Sequence, residues 1–226
     1  MEKNNKLNFI KNKFYNYLFG EKFSKKINFN FPKDISRLNL IQKIISKNNY
    51  KSYLEIGCDD NKIFDNIKLK KKIGVDPVSG GNFKSTSDEF FLNNNEYFDC
   101  IFIDGLHEYD QVKKDILNSI KYLNENGTII LHDTLPSSCS AQVVPRLRNL
   151  WNGDVWKAIV EVRTWKNIDC ITVKIDQGVS ILKKNNNTDI LNLEIKNFKK
   201  LKFKQFYYNY DKFMRIINYD NIDDYI

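Results

Sequence analysis

The chain has 226 residues, 42% of them hydrophobic, which is enough to bury one sizeable core and predicts a single domain. The four cysteines show no Cys-x-x-Cys pair and no apolar run reaches membrane-spanning length, so we expect reduced thiols, no transmembrane segment and a cytoplasmic location. The net charge of +8 comes mostly from lysine, whereas phosphate recognition favours arginine, so we expect a solvated basic surface and no specific nucleic-acid partner.

The first predicted element is an N-terminal extension over residues 1–33, which is rich in Lys, Asn and Phe without a regular period. Pro32 predicts a break near its end. From Asp34 onward, apolar residues recur at helical spacing, and this pattern predicts one amphipathic helix that packs on a sheet. The apolar residues of that helix are Leu38, Ile41, Ile44 and Ile45.

Four short apolar runs follow, and each ends in an acid or a glycine. They are YLEIG (53–57), KIGVDP (72–77), FDCIFIDG (98–105) and GTIILHD (127–133). Near-continuous apolar runs of this length are typical of parallel strands buried on both faces. Between the last two runs, the apolar residues of 112–123 lie on one helical face, so strands and helices alternate. The pattern predicts an α/β fold with a Rossmann-like, doubly wound and mostly parallel sheet.

The rest of the chain is predicted to close the domain and to add a tail. NGDVWKAIVEVR (152–163) has the period of a helix capped by Asp154, and residues 169–184 alternate across a DQG turn, which indicates an antiparallel hairpin. We therefore assign the main domain to residues 34–184. Residues 185–226 begin with a polar NNNTD stretch and are predicted to be a basic helical segment packed on that domain.

The acids of the chain fall where an open α/β sheet binds its ligand, beyond the carboxyl ends of the strands. A dinucleotide would need several glycines after the first strand to hold its pyrophosphate, but only Gly57 is present, and two aspartates close behind it would repel phosphate. The ligand should therefore lack phosphate and could carry positive charge, as S-adenosylmethionine does. Its ribose hydroxyls would bond to Asp76, and its methionine part would lie near Glu55 and Gly57.

Simpler explanations stay open for these residues. Asp76 could only cap a turn, and Glu55 could be a buried structural acid, because ordering a loop and contacting a ligand leave the same pattern in a sequence. Cys58 is grouped with the cofactor-binding residues since it lies in the same loop. Asp59 and Asp60 are expected to face water.

Several segments together resemble a known family. In order and spacing, YLEIG, IGVDP, TSDEFF, FDCIFIDGLHEYDQV and GTIILHDT are similar to motifs of the class I S-adenosylmethionine-dependent methyltransferases, in the small-molecule branch that carries an IDG-x-H-x-Y element. WNGDVWKAIVEVR resembles a segment of some bacterial members of that branch. The resemblance covers roughly residues 36–184 and implies a seven-stranded sheet that ends in an antiparallel hairpin. It also implies that Ser87 and Asp88 lie near the adenine and that Asp104 belongs to the cofactor site.

Methyl transfer to a hydroxyl needs alignment of donor and acceptor and a base for the hydroxyl proton. His107, three residues after Asp104, is the best candidate for that base, since a nearby carboxylate would orient the imidazole and raise its pKa. A structural hydrogen bond is the open alternative for this histidine. Asp133 and Tyr109 are expected to contact the acceptor.

A divalent metal is a further open question. In metal-dependent O-methyltransferases of this fold, acids at the positions of Asp104 and Asp133 bind Mg²⁺, which lowers the pKa of the acceptor hydroxyl. Thr134 stands where those relatives place an Asn or another acid, so a metal here would have fewer oxygen ligands. His132 would point to the opposite face of a regular strand and is expected to be structural.

The function that these observations favour is methyl transfer to a small-molecule hydroxyl, such as that of a sugar or a natural product. IDGLH (103–107) stands where nucleic-acid amino-methyltransferases would be expected to carry an N/D-P-P-[YFW] element, which argues against nucleic acid as the acceptor. The alternative is a non-catalytic S-adenosylmethionine-binding or scaffold protein, and a homo-oligomer is open in either case. Three tryptophans could line the acceptor pocket, although core packing is the simpler expectation for them: Trp151, Trp156 and Trp165.

Overall fold

The computed structural model of the protein describes residues 2–226, with side chains from residue 8 onward. The strands are β1 (Ser52–Ile56), β2 (Lys71–Val75), β3 (Phe98–Ile103), β4 (Leu123–Leu131), β5 (Asp169–Val173), β6 (Val179–Lys183) and β7 (Ile216–Ile217). The helices are α1 (Glu2–Tyr15), which continues into a π-helical segment (Asn16–Lys22), α2 (Arg37–Lys47), α3 (Ser87–Asn93), α4 (Tyr109–Tyr122), α5 (Val155–Val162) and α6 (Phe203–Met214). Within these described residues, no helix is both long and apolar enough to cross a bilayer.

The strands form one sheet in the order β2-β1-β3-β4-β6-β5-β7. β2, β1, β3 and β4 run parallel, β6 is antiparallel to both of its neighbours, and β7 is parallel to β5. This arrangement confirms the predicted doubly wound α/β fold with a closing antiparallel hairpin. Because β2 lies on one side of β1 and β3 on the other, the winding reverses there and leaves a crevice beyond the carboxyl ends of these strands.

One strand comes from outside the main domain that the sequence predicts. β7 lies within residues 185–226 and pairs with β5 at the edge of the sheet. A two-residue strand has no period that a sequence pattern could reveal. The C-terminal segment also supplies α6, whose Phe206 packs on Trp156 of α5 with ring centroids 4.8 Å apart. This segment is therefore part of the sheet as well as a helical cover for it.

Alternation along the strands divides the apolar core between the two faces of the sheet. In β3, Ile101 and Ile103 lie in the core that α4, α5 and α6 share. Cys100 and Phe102 lie in the core that α2 covers on the other face. Full burial of an aliphatic or aromatic side chain stabilises a fold by about 1.5–3 kcal/mol. Because helices cover both faces of the sheet, apolar residues at successive positions of the central strands are all buried, which explains their continuous apolar runs.

Part of the N-terminal extension packs on the domain. The backbone N–H of Ile27 donates to the carbonyl oxygen of Ser137 (2.8 Å), and the N–H of Ser140 donates to the carbonyl oxygen of Gly20 (3.0 Å). Ile27 itself is buried. These bonds hold the extension against the long loop between β4 and α5. That loop forms one wall of the candidate site.

Candidate active site

Two adjoining cavities lie beyond the carboxyl ends of the parallel strands. The cavity nearer to β2, here the β2-side cavity, has a volume of about 660 Å³. The cavity nearer to β4, here the β4-side cavity, has a volume of about 430 Å³. Both are bordered by Gly57 and Asp59 after β1 and by Asp104 and Gly105 after β3. Together they occupy the crevice at which open α/β sheets bind ligands.

Gly57 is fixed by a close approach of two loops. Its φ is +84°, a conformation that side chains other than glycine rarely adopt, and a Cβ atom there would clash with the carbonyl oxygen of Asp104. The sequence predicts that this glycine lets a cofactor approach the backbone. The structure adds a different reason, since the loops after β1 and β3 could not meet with any larger residue at this position.

Asp76 organises both loops beside the β2-side cavity. One carboxylate oxygen accepts the backbone N–H groups of Cys58 (3.0 Å) and Asp59 (3.1 Å), and the other accepts those of Val78 and Ser79 (both 2.8 Å). Burial raises the pKa of Asp76, but these N–H groups outweigh it and hold the pKa below its ordinary value. The carboxylate therefore caps the turn after β2, as the simpler explanation has it, and it also lines the cavity. Its bond to a ribose stays a prediction.

Glu55 is the buried acid inside β1, with 1% of its surface exposed. The hydroxyl of Tyr53 donates to its Oε2 (2.6 Å). Burial raises the pKa of Glu55 to about 8, so the carboxyl is mostly neutral at pH 7. Glu55 and Cys58 both line the β4-side cavity, and burial likewise raises the pKa of the Cys58 thiol. At pH 7, neither group carries a full negative charge.

The far end of the β2-side cavity is a polar cluster on α3 and α4. Ser87 and Asp88 line it as the resemblance implies, and Gln111 Nε2 donates to the Ser87 hydroxyl (3.1 Å) and to Asp88 Oδ1 (3.0 Å). Gln111 also donates to Asp115 (3.1 Å), whose burial raises its pKa to about 6. Sequence reasoning missed these two α4 residues. The available signal was Asp115, an acid on the otherwise apolar stripe of an amphipathic helix.

His107 lies between two carboxylates in the β4-side cavity. Its Nε2 is 3.2 Å from Asp104 Oδ1, and its Nδ1 is 3.3 Å from Asp133 Oδ2. Burial lowers the pKa of His107, but Asp104 and Asp133 more than offset that effect and raise the pKa above its ordinary value. The structure thus brings together the three residues to which the sequence assigns the base, its orienting acid and an acceptor contact.

His132 differs from its expected placement. It does not point away from the site, because its Nδ1 lies 3.1 Å from Asp104 Oδ1 and its Nε2 lies 2.7 Å from the carbonyl oxygen of Asp176. The physical reason is that β4 ends at Leu131 and Asp133 has a φ of +59°, so the alternation of a regular strand does not extend to these residues. Burial lowers the pKa of His132, but the nearby carboxylates raise it to about 10, which keeps this imidazole charged.

Arg37 and Asp176 complete the charged cluster, and sequence reasoning missed both. Arg37 Nε lies 3.4 Å from Asp104 Oδ2, and its Nη1 lies 3.1 Å from Asp176 Oδ2. Asp176 comes from the turn of the β5–β6 hairpin, so no local pattern links it to the start of α2. Three carboxylates lie here beside one guanidinium and two imidazoles, namely Asp104, Asp133 and Asp176 beside Arg37, His107 and His132.

Only one of the three tryptophans lines either cavity among the described residues. Trp151 borders the β4-side cavity and stacks on His107, with ring centroids 5.3 Å apart. Trp156 is completely buried against α6, and Trp165 packs on the edge of the core. Core packing therefore accounts for the last two, as the simpler expectation has it.

Tyr109, which the sequence assigns to the acceptor pocket, lies elsewhere. It begins α4, is 7% exposed, and lines neither cavity. Its hydroxyl donates to Glu161 on α5, and its backbone N–H donates to Asp154 Oδ1 (2.6 Å). The spacing from His107 misled the prediction, because the chain turns into a helix directly after that histidine and carries the ring towards the core. Asp59 and Asp60 are exposed at the mouth of the site, and Asp60 pairs with Lys62.

The donor atoms fit Mg²⁺ poorly. One atom each from Asp104, His107 and Asp133 lies within 4.8 Å of the others, which would allow a shared cation. Mg²⁺ prefers six oxygen ligands, whereas this set offers two carboxylates and one imidazole. The Asp104 oxygen nearest to them already contacts His107 and His132. Thr134 is buried, its hydroxyl has no hydrogen-bond partner among the described residues, and a threonine offers neither a carboxylate nor an amide oxygen.

Comparisons with known proteins agree with this architecture. Residues 55–134 match a family model described as a methyltransferase domain. An uncharacterized protein of Acanthamoeba polyphaga mimivirus is 26% identical over 129 residues, which cover 44% of this chain and 58% of that protein. The chain thus spans less than two thirds of the length of this curated relative.

Two matches to solved structures follow. A presumed O-methyltransferase from Klebsiella pneumoniae is 13% identical with a TM-score of 0.50, and the match covers 70% of this chain and 84% of that one. An O-methyltransferase from Bacillus cereus in complex with S-adenosylhomocysteine is 12% identical with a TM-score of 0.49, over 68% of this chain and 84% of that one. At this level of identity, the Klebsiella likeness concerns the fold alone.

Proposed function

We propose that this chain, which carries a class I S-adenosylmethionine-dependent methyltransferase domain, transfers the methyl group of S-adenosylmethionine to a hydroxyl of a small molecule. The single observation that carries the proposal is the position of His107, held between Asp104 and Asp133 in one cavity and next to a second cavity large enough for a nucleoside. A sugar or a natural product is the acceptor class that we propose.

The cofactor site is inferred from the polarity of the β2-side cavity. Ser87, Gln111 and Asp115 offer hydroxyl, amide and carboxyl groups to an adenine at its far end. Asp76 offers carboxylate oxygens to the ribose. The methionine part would then extend past Gly57 into the β4-side cavity, where an ammonium would meet Glu55. The acids around this path favour a cationic ligand over a phosphate-bearing one.

The reaction is an in-line displacement. The acceptor oxygen attacks the methyl carbon, the bond from that carbon to sulfur breaks, and S-adenosylhomocysteine leaves with the electron pair. His107 takes the hydroxyl proton. Its Nε2–H donates to Asp104, which leaves the Nδ1 lone pair as the proton acceptor, and Nδ1 has no well-aligned hydrogen-bond partner among the described residues. Asp133 lies beside Nδ1 and would stabilise the imidazolium that forms.

Calorimetry tests the cofactor half of the proposal. We expect the wild-type protein to bind S-adenosylmethionine and S-adenosylhomocysteine, and Asp76→Ala to weaken both. Absence of binding by the wild type would exclude this function and also the alternative of a non-catalytic cofactor-binding scaffold.

A screen of hydroxylated sugars and phenols tests the catalytic half. We expect S-adenosylhomocysteine to accumulate with the wild type and not with His107→Gln, while both bind the cofactor equally. Asp60→Ala is the matched control, because Asp60 lies at the mouth of the same cavity and its carboxylate pairs with the exposed Lys62. Cofactor binding without turnover of any compound in the panel favours the scaffold alternative.

A further inference from the structure

Residues 151–154, here the WNGD segment, precede α5 and lie against the charged cluster. The segment is anchored from behind, because the N–H groups of Asn152 and Gly153 both donate to the carbonyl oxygen of Ala141 (2.8 and 3.2 Å). Asn152 is 1% exposed. A polar side chain buried to this degree must be hydrogen-bonded, which makes its partner informative.

The partner of Asn152 is Asp133. Asn152 Nδ2 donates to Asp133 Oδ1 (2.8 Å), and this bond leaves Asp133 Oδ2 to face His107 Nδ1 at 3.3 Å. Asp133 has a φ of +59°, which is unfavourable for a residue with a side chain and persists only where the surroundings hold it. The amide of Asn152 is one of the groups that hold it.

The WNGD segment also holds the loop that carries His107. Trp151 stacks on the imidazole, and the N–H of Asp154 donates to the carbonyl oxygen of His107 (3.1 Å). Gly153 has a φ of +61°, and a Cβ atom there would clash with that same carbonyl oxygen. Two residues along the loop, the N–H of Tyr109 donates to Asp154 Oδ1 (2.6 Å). Asp154 thus bonds to the backbone of this loop at two residues, through its own N–H at His107 and through its carboxylate at Tyr109.

The carboxylate of Asp154 does not cap α5, although the sequence predicts that it does. Asp154 occupies the N-cap position of α5, yet its side chain makes no capping hydrogen bond to that helix. It bonds instead to the start of α4 and to Lys157 Nζ (3.1 Å). An N-cap aspartate normally accepts a backbone N–H of its own helix, whereas this carboxylate joins the start of α4 to the side chain of Lys157 in the first turn of α5.

We propose that the WNGD segment positions His107 and Asp133 for the reaction. Asn152 orients the carboxylate of Asp133, and Asp154 fixes the loop that carries His107. Both are positioning residues, since neither touches a reacting atom in the proposed reaction. The inference rests on the proposed function for its purpose, but the contacts themselves can be tested without substrate. A displacement of about 1 Å at a reacting group can cost about 100-fold in rate, which is the reason that such a segment would be needed.

The test compares Asp154→Ala with Asp154→Asn in the full chain. Asparagine keeps an oxygen that accepts the Tyr109 N–H, whereas alanine removes it. We expect the amide of Tyr109 to exchange with deuterium about tenfold faster in Asp154→Ala and at the wild-type rate in Asp154→Asn. Val162→Ala is the control, because it removes buried apolar contacts from the other end of α5 without touching the loop.

A spectroscopic readout reports on the imidazole directly. The chain has two histidines, so a spectrum of histidine-labelled protein contains two sets of imidazole signals, and the stacking of Trp151 on His107 identifies the set from His107. At one fixed pH, the ring current of Trp151 should shift the His107 signal. We expect Trp151→Ala and Asp154→Ala to move that signal and Asp154→Asn and Val162→Ala to leave it in place. Asn152→Ala should move it as well, since Asp133 is then released.

Two results would overturn the proposal. One is wild-type exchange at Tyr109 in Asp154→Ala, and the other is a His107 signal that Val162→Ala moves as far as Asp154→Ala does. A calorimetric titration with S-adenosylhomocysteine distinguishes failure of the proposed function from failure of the positioning role of the WNGD segment. If the wild type fails to bind S-adenosylhomocysteine, the proposed function is lost, whereas exchange and the histidine spectrum still decide whether the segment holds the loop.

Discussion

The two cavities of the candidate site are built in different ways. The β2-side cavity is made by neighbouring stretches of chain, and Asp76 is held there by backbone N–H groups no more than 18 residues away. The β4-side cavity is made by side chains far apart in sequence, and Arg37 and Asp176 are separated by 139 residues. Backbone N–H groups stabilise the carboxylate of Asp76 in the first cavity, whereas contacts among six side chains set the charges in the second.

This difference predicts that substitutions separate binding from chemistry. A change on the β2 side should weaken the cofactor site as a whole, because the loops lose the carboxylate that joins them. A change in the charged cluster on the β4 side should leave cofactor affinity intact but alter the protonation of neighbouring groups, because each charge there depends on the others.

The largest expected effect comes from the pair His107→Gln and Asp76→Ala. We expect His107→Gln to lower kcat by about 10²–10⁴-fold, the usual contribution of a general base, with calorimetric affinity for S-adenosylmethionine unchanged. Asp76→Ala should lower that affinity and turnover together. If Asp76→Ala lowered only kcat, or His107→Gln lowered only affinity, the division between the two cavities would be wrong.

The next effect concerns Glu55, which lines the β4-side cavity. Its pKa of about 8 means that it must lose a proton to pair with the cofactor's ammonium. Affinity for S-adenosylmethionine should therefore rise with pH between pH 5.5 and 7, by up to about tenfold per pH unit, while the ammonium stays protonated. Calorimetry in two buffers of different ionisation enthalpy should detect the released proton.

Glu55→Gln is the control for that titration. The amide cannot ionise, so the dependence of affinity on pH should disappear in this variant. A wild-type affinity that stays constant over the same range would mean that Glu55 remains protonated in the complex and serves only the fold.

A smaller effect is expected from Asp133→Asn, which removes one of the charges that raise the pKa of His107. Proton transfer needs a neutral imidazole, so wild-type kcat should rise with pH through that raised pKa. Loss of the Asp133 charge lowers the pKa of His107, and the acid limb of the kcat profile should move to lower pH. Asparagine can still accept the bond from Asn152, which keeps the geometry. An acid limb that stays in place, or moves to higher pH, would remove His107 as the base.

Local patterns located the crevice from the sequence, and the reason is physical. Short apolar runs that end in an acid or a glycine place Gly57, Asp76 and Asp104 at the carboxyl ends of neighbouring strands, since parallel strands present these ends at one edge. The hairpin followed from its turn chemistry. The seven-stranded count was also correct, although β7 came from the tail.

The charged cluster could not be predicted from local patterns. Arg37 stands at an ordinary helix start and Asp176 in an ordinary turn, and only the tertiary fold brings them to Asp104. His132 was misplaced because a strand period was extended past the point where the backbone leaves the strand. Asp154 was assigned to its own helix, since an N-cap aspartate that serves a different helix has the same sequence pattern.

The smallest expected effect is that of metal removal, and it tests the balance of charges on the β4 side. A divalent cation would add positive charge to three carboxylates that already contact Arg37 and two imidazoles, His107 and His132. We therefore expect turnover after treatment with EDTA, and again after addition of Mg²⁺, to stay within about twofold of the untreated value. Thr134→Asn restores the type of oxygen ligand that metal-dependent relatives carry and serves as the matched variant. If EDTA abolished wild-type turnover and Mg²⁺ restored it, Asp104 and Asp133 would act as ligands, and the cationic groups around them would have to move away when the metal binds.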